Sequence, residues 1–339
     1  MARQWTADEV LNIVRAFQPA CVLAAATELD IFTALHKRPM TSQSLAAELG
    51  CDPRATTILL DALTALGFLT KQANIYSVLP EAAEILTEAC PPRRAGPHSV
   101  LPAVRHLGNC LRRWAQLARV TQTGKPAESS PSIRGAAADQ AAFIGAMHNF
   151  SVPIANQIID ELKPLTFSHL LDIGGASGTW TIAFLRAFPE ARATLFDLPE
   201  VMPLAKQRIA EAGLSERVTF VAGDYYEDEL PGGADFAWLS AITHQNSRKQ
   251  NRQLFAKIHK ALKADGVLVI RDVIMDESHT YPEAGALFAI NMLVATEAGG
   301  TYTFDEFRED LSNVGFTDMT LIHRDEFMNS LIRATKTRT

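Results

Sequence analysis

A histidine and an aspartate that lie 28 residues apart each follow an apolar run typical of a buried strand. His244 comes after "FAWLSAI", and Asp272 ends "VLVIRD". If the two strands are neighbours in a parallel sheet, their carboxyl ends meet at one edge and bring the two side chains together. A neutral imidazole can accept a proton, and a carboxylate on its other nitrogen fixes the tautomer and stabilises the charged form. The pair therefore predicts general-base chemistry.

Three further carboxylates close the three strands that precede the strand of His244. Asp172 ends "HLLD", Asp197 ends "TLFD", and Asp224 follows "FVAG". Such positions point into the crevice outside the carboxyl edge of a parallel sheet, where ligands of α/β proteins bind. Asp197 lies 25 residues after Asp172, about where a ribose-binding carboxylate belongs in a βαβ unit. A helix cap or a turn is the alternative for each carboxylate taken singly.

The first of these strands leads into the glycine-rich turn "DIGGASG". Gly174 and Gly175 allow the backbone to approach a ligand closely, and Gly178 allows the following helix to pack against the strand. The dinucleotide fingerprint G-x-G-x-x-G is not met, which disfavours a nicotinamide-dependent oxidoreductase. A carboxylate just before the turn is unfavourable for a pyrophosphate and favourable for a cationic amino-acid ligand.

Alternating strands and helices from His169 onward predict the element that positions these residues. The strands are unbroken apolar runs, which is typical of a parallel sheet covered on both faces, with an antiparallel strand compatible at the C-terminus. The chain is thus predicted to contain an α/β domain at residues 166–339, preceded by a helical linker at 91–165 and a smaller domain at 1–90.

The first domain has the pattern of a winged helix. Helix, turn, helix and two short β-like runs, "GFLTKQ" and "IYSVLP", follow one another. The second helix, "RATTILLDALTAL", has few groups that could bond base edges or phosphates, so an apolar face buried against another chain explains it better than DNA binding. Homodimerisation is the predicted role. The predicted boundaries are N-caps at Thr6 and at Thr41 or Ser42, a start at Asp52-Pro53, and ends at Gly50 and Gly67.

The linker is predicted to hold one helix around "AVRHLGNCLRRWAQLARV" and one over "AAFIGAMHNFSVPIANQIIDEL". Several arginines near the first of these give the segment most of its basic excess. A solvated face is the simplest explanation, and contact with an acidic partner or substrate is the alternative.

Composition bounds the class of protein. The chain has 339 residues, 47% of them apolar, and a formal net charge of −6. This length suffices for two packed domains, and the apolar content excludes disorder. Residues 1–150 hold 14 basic and 12 acidic residues, and the remainder holds 18 and 26, so the acidic total disfavours non-specific nucleic-acid binding.

The four cysteines, Cys21, Cys51, Cys90 and Cys110, lack the spacing of a metal knuckle or a redox pair. We therefore expect reduced thiols and no metal. We also expect neither a signal peptide nor an apolar stretch of membrane-spanning length, and hence a cytoplasmic protein.

Several of these motifs, in this order, are typical of one family. The chain resembles the S-adenosylmethionine-dependent small-molecule O-methyltransferases of the plant caffeic-acid and animal hydroxyindole type. The resemblance covers nearly the whole chain: the dimerising winged helix, "DIGGASG", "FDLPEV", "GDYY", the histidine after the fourth strand, and "NMLVATEAGG". It implies a class I methyltransferase, with a Rossmann-like, mostly parallel α/β sheet and an N-terminal, mainly α winged-helix dimerisation domain, acting in secondary metabolism.

The resemblance also implies roles for individual residues. S-adenosylmethionine, which becomes S-adenosylhomocysteine, would have its methionine part at the Gly174 turn, its ribose on Asp197, and its adenine bracketed by Asp224 and Tyr225. His244 would be the general base and Asp272 its orienter. The implied cofactor set is completed by Ser151, Asp172, Gly175, Leu198 and Ser240, and the implied acceptor pocket is lined by Phe143, Met147, Asn291 and Met292. Ordinary core packing is the alternative for the two methionines.

The sequence departs from the family pattern around the histidine. Gln245 and Asn246 follow His244 where the family commonly has Asp-Trp, and Asp272 stands where the family usually has Glu. A second family carboxylate is absent from "GGTYTF", although Glu297 lies just upstream. The sequence assigns no role to Gln245 or Asn246.

We therefore predict a homodimeric O-methyltransferase that moves a methyl group to a hydroxyl, by expectation phenolic, of an aromatic small molecule. One alternative has the same fold and cofactor but methylates carbon or nitrogen, or supports hydroxylation or decarboxylation. Another, from a different class, is a winged-helix regulator that senses a metabolite. Neither nucleic acid nor membrane is an expected partner.

Overall fold

The computed structural model describes residues 4–88 and 99–337, and these fall into two compact units. The first unit comprises Met1–Ala115 and Ser129–Asn149, and the second comprises Gln116–Glu128 and Phe150–Thr339. Cys90 and part of the arginine-rich segment lie outside the described residues.

The helices and strands of the described residues are numbered along the chain. The helices are α1 (Ala7–Arg15), α2 (Phe17–Glu28), α3 (Ile31–Lys37), α4 (Ser42–Leu49), α5 (Pro53–Ala65), α6 (Pro80–Leu86), α7 (Leu101–Trp114), α8 (Leu117–Thr123), α9 (Ala136–Ser151), α10 (Ala155–Glu161), α11 (Thr179–Ala187), α12 (Met202–Glu211), α13 (Arg248–Ala261), α14 (Glu283–Ala295) and α15 (Phe304–Ser312). The strands are β1 (Met40–Thr41), β2 (Leu69–Gln72), β3 (Ile75–Val78), β4 (His169–Ile173), β5 (Arg192–Asp197), β6 (Val218–Ala222), β7 (Ala234–Ser240), β8 (Leu262–Asp272), β9 (Ile274–Met275), β10 (Tyr302–Thr303), β11 (Phe316–His323) and β12 (Ser330–Lys336).

The first unit contains the predicted winged helix. Helices α4 and α5 precede the β2–β3 hairpin, and the short strand β1 extends it to the order β1-β3-β2. The Thr41 side chain caps α4, because its Oγ1 accepts a hydrogen bond from the backbone N–H of Ser44 at 3.2 Å. Gly50 and Gly67 end the two helices at φ of +66° and +81°, a backbone conformation that glycine adopts without strain.

The N-terminal helices expose a large apolar surface. Helix α1 buries none of its residues, and Leu11, Ile13, Val14 and Phe17 are each 45% or more exposed. By length and composition alone, Ala7–Glu28 could cross a membrane, so the expectation that no apolar stretch reaches that length is wrong. The same composition is typical of a helix that is covered by a second protein chain.

Two segments that the sequence predicts as single helices are each divided in two. The first breaks between α7 and α8, where the side chain of Gln116 exchanges two hydrogen bonds of 3.0 Å with the backbone of Glu128. The second breaks between α9 and α10 at Pro153, because proline lacks the N–H that would continue the helix and restricts the residue before it.

The second unit is built on a seven-stranded sheet of order β11-β12-β8-β7-β4-β5-β6. Strands β4 to β8 pair in parallel, and β12 runs antiparallel to β8 and to β11. The predicted parallel sheet and its antiparallel closing strand are thus both present. The small β9–β10 ladder lies apart from this sheet.

Both faces of the sheet are buried, which is why its strands are continuously apolar. In β7 the side chains alternate between faces: Phe236 and Trp238 join one core cluster, and Ala237 and Leu239 join the other. Helices α10 and α11 contribute to the first cluster, and α13 and α15 contribute to the second. The sheet is therefore a rigid central layer whose carboxyl edge can hold side chains in fixed positions.

The aromatic cluster on one face supplies a test of this packing. Phe184 is fully buried, and its ring centroid lies 5.3 Å from that of Phe236 and 5.1 Å from that of Trp238. Phe184→Ala should lower the free energy of unfolding by about 3–5 kcal/mol, because it leaves a cavity in a rigid core. Urea denaturation followed by tryptophan fluorescence measures this loss. Phe327→Ala removes a ring that is 63% exposed and should cost less than about 0.5 kcal/mol; equal losses in both variants would contradict the assignment of the core.

Candidate active site

The strand order creates a crevice at the carboxyl edge of the sheet. From β4 the chain adds β5 and β6 on one side and then β7 and β8 on the other, so the direction of winding reverses between β4 and β7. Ile173 of β4 pairs with Leu239 of β7 at this point. Ligands of open α/β sheets bind outside the strand ends at such a reversal. The predicted site residues at the ends of β4, β5 and β7 surround it.

The glycine turn after β4 is shaped by close packing against neighbouring protein atoms. Gly174 has φ of +67°, and a Cβ there would lie 2.7 Å from Cδ1 of Ile242. A Cβ on Gly175 would lie 2.7 Å from Cγ of Leu195. Gly178, with φ of +76°, approaches Ile209 of α12, as the prediction of close helix packing requires. The tight turn therefore depends on all three glycines, whatever ligand it faces.

Asp197 ties the glycine turn to the end of β5. One carboxylate oxygen accepts a hydrogen bond from the N–H of Ala176 at 2.7 Å, and the other accepts one from the N–H of Leu198 at 2.7 Å. Burial raises the pKa of Asp197 above its usual value, although both backbone bonds act in the opposite direction. The carboxylate is thus held rigidly at the crevice, beside the 38% exposed Leu198.

Asp172 lies beneath the turn rather than on its surface. It is 1% exposed, and its Oδ2 accepts a hydrogen bond from Oγ1 of Thr181 in α11 at 2.6 Å. Burial raises the pKa of this carboxyl to about 7, and the Thr181 hydrogen bond opposes the rise. The contact fastens α11 to β4, which is a structural task that sequence reasoning weighed only as the alternative.

The loop after β6 is held from two directions. Asp224 accepts a hydrogen bond from the N–H of Tyr226 at 2.8 Å and donates its own N–H to Asp228 at 2.8 Å. From α13, Lys257 donates to the carbonyl oxygens of Tyr225, Tyr226 and Asp228 at 2.8–2.9 Å. Burial raises the pKa of the Tyr225 phenol, which therefore stays protonated. These bonds connect the predicted adenine-side residues to one another and to α13.

His244 and Asp272 meet at the other side of the crevice, as the strand-order argument predicts. Strands β7 and β8 are parallel neighbours, and the 3-10 turn Thr243–Gln245 follows β7. Nδ1 of His244 lies 2.8 Å from Oδ1 of Asp272. The side chain of His244 is 9% exposed and that of Asp272 is 1% exposed, so the contact is shielded from water.

The Asp272 carboxylate is saturated with hydrogen-bond donors. Besides His244, it accepts bonds from Oγ1 of Thr243 at 2.5 Å and from the N–H of Val273 at 2.8 Å. Burial alone would raise the pKa of Asp272, but the neighbouring His244 and these hydrogen bonds hold it below its usual value. An ionised Asp272 accepts the Nδ1 proton of His244, which leaves Nε2 of the imidazole as the basic nitrogen.

The backbone and ring of His244 are positioned by α14 and by the loop that follows it. The N–H of Gly300 donates to the carbonyl oxygen of His244 at 2.9 Å. A Cβ on Gly299 would lie 2.5 Å from that same oxygen, so only glycine fits there without displacement. The ring of Phe288 in α14 contacts the imidazole edge-to-face, at 4.8 Å between centroids. Phe288 was not predicted from the sequence. The Gly299-Gly300 pair was the one sequence feature that pointed to this loop.

Asn246, to which the sequence assigns no role, is completely buried. Its side chain bonds Tyr226 and Asn251, and its carbonyl oxygen accepts a hydrogen bond from the hydroxyl of Tyr302. Gln245 is half-buried, and its side-chain amide lies 3.4 Å from the carbonyl oxygen of Ala241. The two amides that depart from the family pattern are thus part of the loop's internal framework.

Ser240 at the end of β7 interacts with a buried arginine. Its Oγ accepts a hydrogen bond from Arg271 at 3.0 Å, and the guanidinium also donates to Oδ1 of Asn329 and packs over the ring of Trp180. Burial lowers the pKa of Arg271 to about 10, so the group remains charged at neutral pH. Arg271 was not predicted, because an arginine at a strand end has no distinctive spacing.

The remaining predicted residues are distributed over both units. Phe143 is exposed and Met147 is half-buried in the first unit, whereas Asn291 is half-buried and Met292 is buried in the second. Ser151 is buried at the end of α9. Glu297, which lies just upstream of the missing second family carboxylate, is exposed. The carboxylate that bonds the His244 side chain among the described residues is that of Asp272. A shared acceptor pocket therefore stays a prediction.

Within residues 4–88 and 99–337, no group of three or more histidine, cysteine or acidic side chains is arranged to hold a metal ion. Cys21, Cys51 and Cys110 are free thiols.

The mostly parallel sheet with its winding reversal, the glycine turn and the successive strand-end carboxylates together define a class I methyltransferase. Its N-terminal winged-helix unit adds a dimerisation region.

Known proteins agree with this class. Residues 130–317 match the family model of the O-methyltransferase domain, and residues 11–88 match that of the O-methyltransferase dimerisation domain. The chain is 31% identical over 315 residues to the tetracenomycin polyketide synthesis 8-O-methyl transferase of Streptomyces glaucescens. The aligned region covers 92% of this chain and 91% of that protein. It is 30% identical over 301 residues to the 3-hydroxy-5-methyl-1-naphthoate 3-O-methyltransferase of Streptomyces sahachiroi, covering 88% and 86% respectively. The crystal structure of human N-acetylserotonin methyltransferase in complex with SAM shares the fold, with a TM-score of 0.80 at 24% identity over 100% of both chains.

The chain therefore belongs to the O-methyltransferase family. It is an S-adenosylmethionine-dependent O-methyltransferase, which sets aside both the metabolite-sensing regulator and the nicotinamide-dependent oxidoreductase.

The two adjacent glycines after α14 provide a matched test of the support for His244. An added Cβ on Gly299 would collide with the His244 carbonyl oxygen, whereas on Gly300 its nearest described neighbour is the Tyr302 hydroxyl at 3.9 Å. Gly299→Ala should lower kcat/KM for methyl transfer at least about tenfold by displacing the base. Gly300→Ala, measured in the same assay, should stay within about threefold of the wild type. A Gly299→Ala enzyme as active as Gly300→Ala would show that the loop position does not matter.

The buried carboxyl of Asp172 should make stability depend on pH. Because its folded-state pKa of about 7 exceeds the ordinary value of 3.8, its contribution to stability is present at low pH and is lost as pH rises through about 7. Asp172→Asn keeps an oxygen for Thr181 but has no charge to bury. Urea denaturation of the cofactor-free protein should show the variant gaining on the order of 2 kcal/mol relative to wild type between about pH 5 and pH 8. Asp160→Asn, at an exposed site, should show no such trend; parallel curves for wild type and Asp172→Asn would refute the prediction.

Proposed function

We propose that this enzyme transfers a methyl group to the hydroxyl of an aromatic small molecule, with His244 as the general base and Asp272 as the residue that orients it. The observation that carries this proposal is the buried 2.8 Å contact between Nδ1 of His244 and Oδ1 of Asp272 at the carboxyl edge of the sheet. A pair of this kind can activate a hydroxyl by accepting its proton, whereas a buried ion pair contributes little to stability that a neutral pair would not.

The crevice residues fit the cofactor. Asp197 ends β5 and Asp224 lies in the loop after the adjacent strand β6, and both carboxylates accept hydrogen bonds from backbone N–H groups. An acidic crevice suits a ligand that carries a sulfonium and an ammonium group. Under this proposal Asp197 holds the ribose, Asp224 and Tyr225 bracket the adenine, and Gly174 and Gly175 lie against the methionine part. Ser151, Asp172, Leu198 and Ser240 complete the proposed cofactor set, Asp172 and Ser240 acting through the contacts described above.

The protein's own task is to align the acceptor and to remove its proton. When bound, S-adenosylmethionine supplies a methyl group that its sulfonium makes reactive. A phenol with a pKa near 10 is mostly protonated at neutral pH and is a weak nucleophile. Nε2 of His244 takes the hydroxyl proton as the new oxygen–carbon bond forms, and Asp272 stabilises the resulting imidazolium. The methyl group ends on the acceptor oxygen, and S-adenosylhomocysteine leaves.

The acceptor class rests on the relatives and on the site. The two bacterial relatives named above are O-methyltransferases of a polyketide and of a hydroxynaphthoate. An oxygen acceptor also agrees with a base that is oriented by an ionised carboxylate. We propose that the acceptor pocket is lined by the residues that the family resemblance implies, namely Phe143, Met147, Asn291 and Met292.

Features of the first unit support our proposal for the state of assembly and for the location. The exposed apolar surface of α1 and α2 and the match to a dimerisation domain support a homodimer, in which a second copy covers this surface. Covering by a partner chain also accounts for the apolar Ala7–Glu28 segment, which agrees with a cytoplasmic enzyme.

The catalytic assignment is tested by separating cofactor binding from turnover. His244→Ala should bind S-adenosylhomocysteine within about threefold of the wild-type affinity, because the imidazole is proposed to act on the acceptor. Its kcat on a phenolic acceptor should fall by about 10²–10⁴, the usual contribution of a general base. Asp272→Asn should also lose activity, because an amide can present its N–H to Nδ1 and stabilise the wrong tautomer.

A panel of phenols and enols with methyl-labelled S-adenosylmethionine supplies the acceptor for this assay, and calorimetry measures the affinity. His36→Ala serves as the control, because His36 is exposed on α3. Unchanged turnover in His244→Ala would remove this residue from its proposed role. Tight binding of NAD without binding of S-adenosylmethionine would overturn the cofactor assignment.

A further inference from the structure

The loop that follows β6 and the loop that follows β7 are joined by a side-chain bridge that the sheet itself does not supply. In the sheet order β7-β4-β5-β6, two strands lie between β7 and β6, so no backbone pairing connects their ends. Yet the hydroxyl of Tyr226 donates a hydrogen bond to Oδ1 of Asn246 at 2.5 Å. Tyr226 follows the proposed adenine-side residues, and Asn246 follows the proposed base. The contact therefore connects the cofactor side of the crevice with the acceptor side.

The bridge continues from Asn246 to the residue beside His244. Nδ2 of Asn246 donates to Oδ1 of Asn251 at 3.0 Å, and Nδ2 of Asn251 donates to the carbonyl oxygen of Thr243 at 2.9 Å. Thr243 in turn donates its hydroxyl to Asp272. Each residue donates a hydrogen bond to the next one, with Thr243 accepting through its carbonyl oxygen and donating through its hydroxyl. The series therefore has one direction and ends at the carboxylate that orients the base.

The direction of this chain explains why residue 246 is an amide. Asn251 must turn its Nδ2 toward the Thr243 carbonyl, so its oxygen faces Asn246 and requires a donor there. The Tyr226 hydroxyl requires an acceptor on the other side of the same group. Only a side chain with one acceptor and one donor satisfies both neighbours in a site that is 0% exposed. An aspartate at this position would place two acceptors together at Asn251, at the cost of an unsatisfied buried group.

Both ends of the bridge are held by further hydrogen bonds. Lys257 donates to the carbonyl oxygens of Tyr225, Tyr226 and Asp228, which ties Tyr226 to the rest of its loop. At the other end, the hydroxyl of Tyr302 donates to the carbonyl oxygen of Asn246, and the N–H of Gly300 donates to that of His244. The bridge thus joins two loops that are each tied down by hydrogen bonds of their own.

We propose that Asn246 is a positioning residue that couples occupancy of the cofactor site to the orientation of His244, through its hydrogen bond with Tyr226. This inference rests on the proposed function, since it takes the two loops as the cofactor side and the base side. Binding of cofactor beside Asp224 and Tyr225 settles the Tyr226 loop, and the bridge then holds His244 in the position that accepts a proton.

The test removes the Tyr226 hydroxyl, which makes the first hydrogen bond of the bridge. Tyr226→Phe should bind S-adenosylhomocysteine within about twofold of wild type, because no proposed cofactor contact is lost. Its kcat on the phenolic acceptor should fall about tenfold, the equivalent of one hydrogen bond, while KM for S-adenosylmethionine stays unchanged. Asn246→Asp should lose more activity than Tyr226→Phe. Tyr281→Phe is the matched control, because it removes a hydroxyl that donates to Glu326 at 2.7 Å on the surface, and it should behave as wild type.

A second readout needs no acceptor and separates coupling from a purely structural effect. The imidazole NMR signals of His244, assigned by their loss in His244→Ala, should shift when S-adenosylhomocysteine is added to wild type and to Tyr281→Phe. In Tyr226→Phe the same addition should produce less than about half of that shift. Thermal midpoints of Tyr226→Phe and Tyr281→Phe should agree within a few degrees, which excludes general destabilisation.

The outcomes distinguish the two proposals. If wild type fails to bind S-adenosylhomocysteine, the proposed function itself is wrong, and this appears before any variant is made. If wild type binds but Tyr226→Phe retains both the full shift of His244 and the full kcat, the coupling is refuted. An equal loss of affinity and kcat in Tyr226→Phe would refute it too, because Tyr226 would then act only on cofactor binding.

Discussion

The buried carboxylate of Asp272 is the constraint on which the rest of the site depends. A charge that is 1% exposed is tolerated only if donors surround it, and here they come from Thr243, His244 and Val273. Two of these residues lie on the loop after β7 and one follows β8, so the site exists only if the two strands are parallel neighbours with matched ends. Desolvation of the carboxylate thus specifies the loop conformation, and with it the tautomer of the proposed base.

The cofactor side of the crevice shows how carboxylates at strand ends divide their work. Asp172 is buried and fastens α11 to β4, whereas Asp197 holds the glycine turn by accepting backbone N–H groups. Both were expected at the crevice because each ends a strand. The physical difference between them is burial: Asp172 lies under the turn, where a ligand would meet it only through other groups, and Asp197 stands at its rim. Sequence position alone is the same for both and cannot separate a structural from a binding carboxylate.

The departures from the family pattern around His244 form a framework of their own. Asn246 forms hydrogen bonds with Tyr226 and Asn251, and the missing side chain of Gly299 leaves the space that the His244 carbonyl oxygen occupies. Sequence reasoning marked the Gln-Asn pair as unusual without assigning it a task, because its partners Tyr226, Asn251 and Tyr302 are spread over nearly 80 residues of the chain. Hydrogen-bond partners at such separations are invisible to periodicity and to short motifs, whereas the adjacency of two parallel strands is not.

By itself the sequence determined the winged helix, the parallel sheet and the meeting of His244 with Asp272, because apolar periodicity and strand ends are local patterns with one packing solution. It failed at the breaks between α7 and α8 and between α9 and α10, where Gln116 bonds a distant backbone and a proline interrupts a helical pattern. Only the tertiary structure decided which carboxylates are buried, that Arg271 lies beneath Ser240, and that Asn246 connects two loops. Those properties depend on which side chains share a desolvated space, and that is settled by packing between segments far apart in the chain.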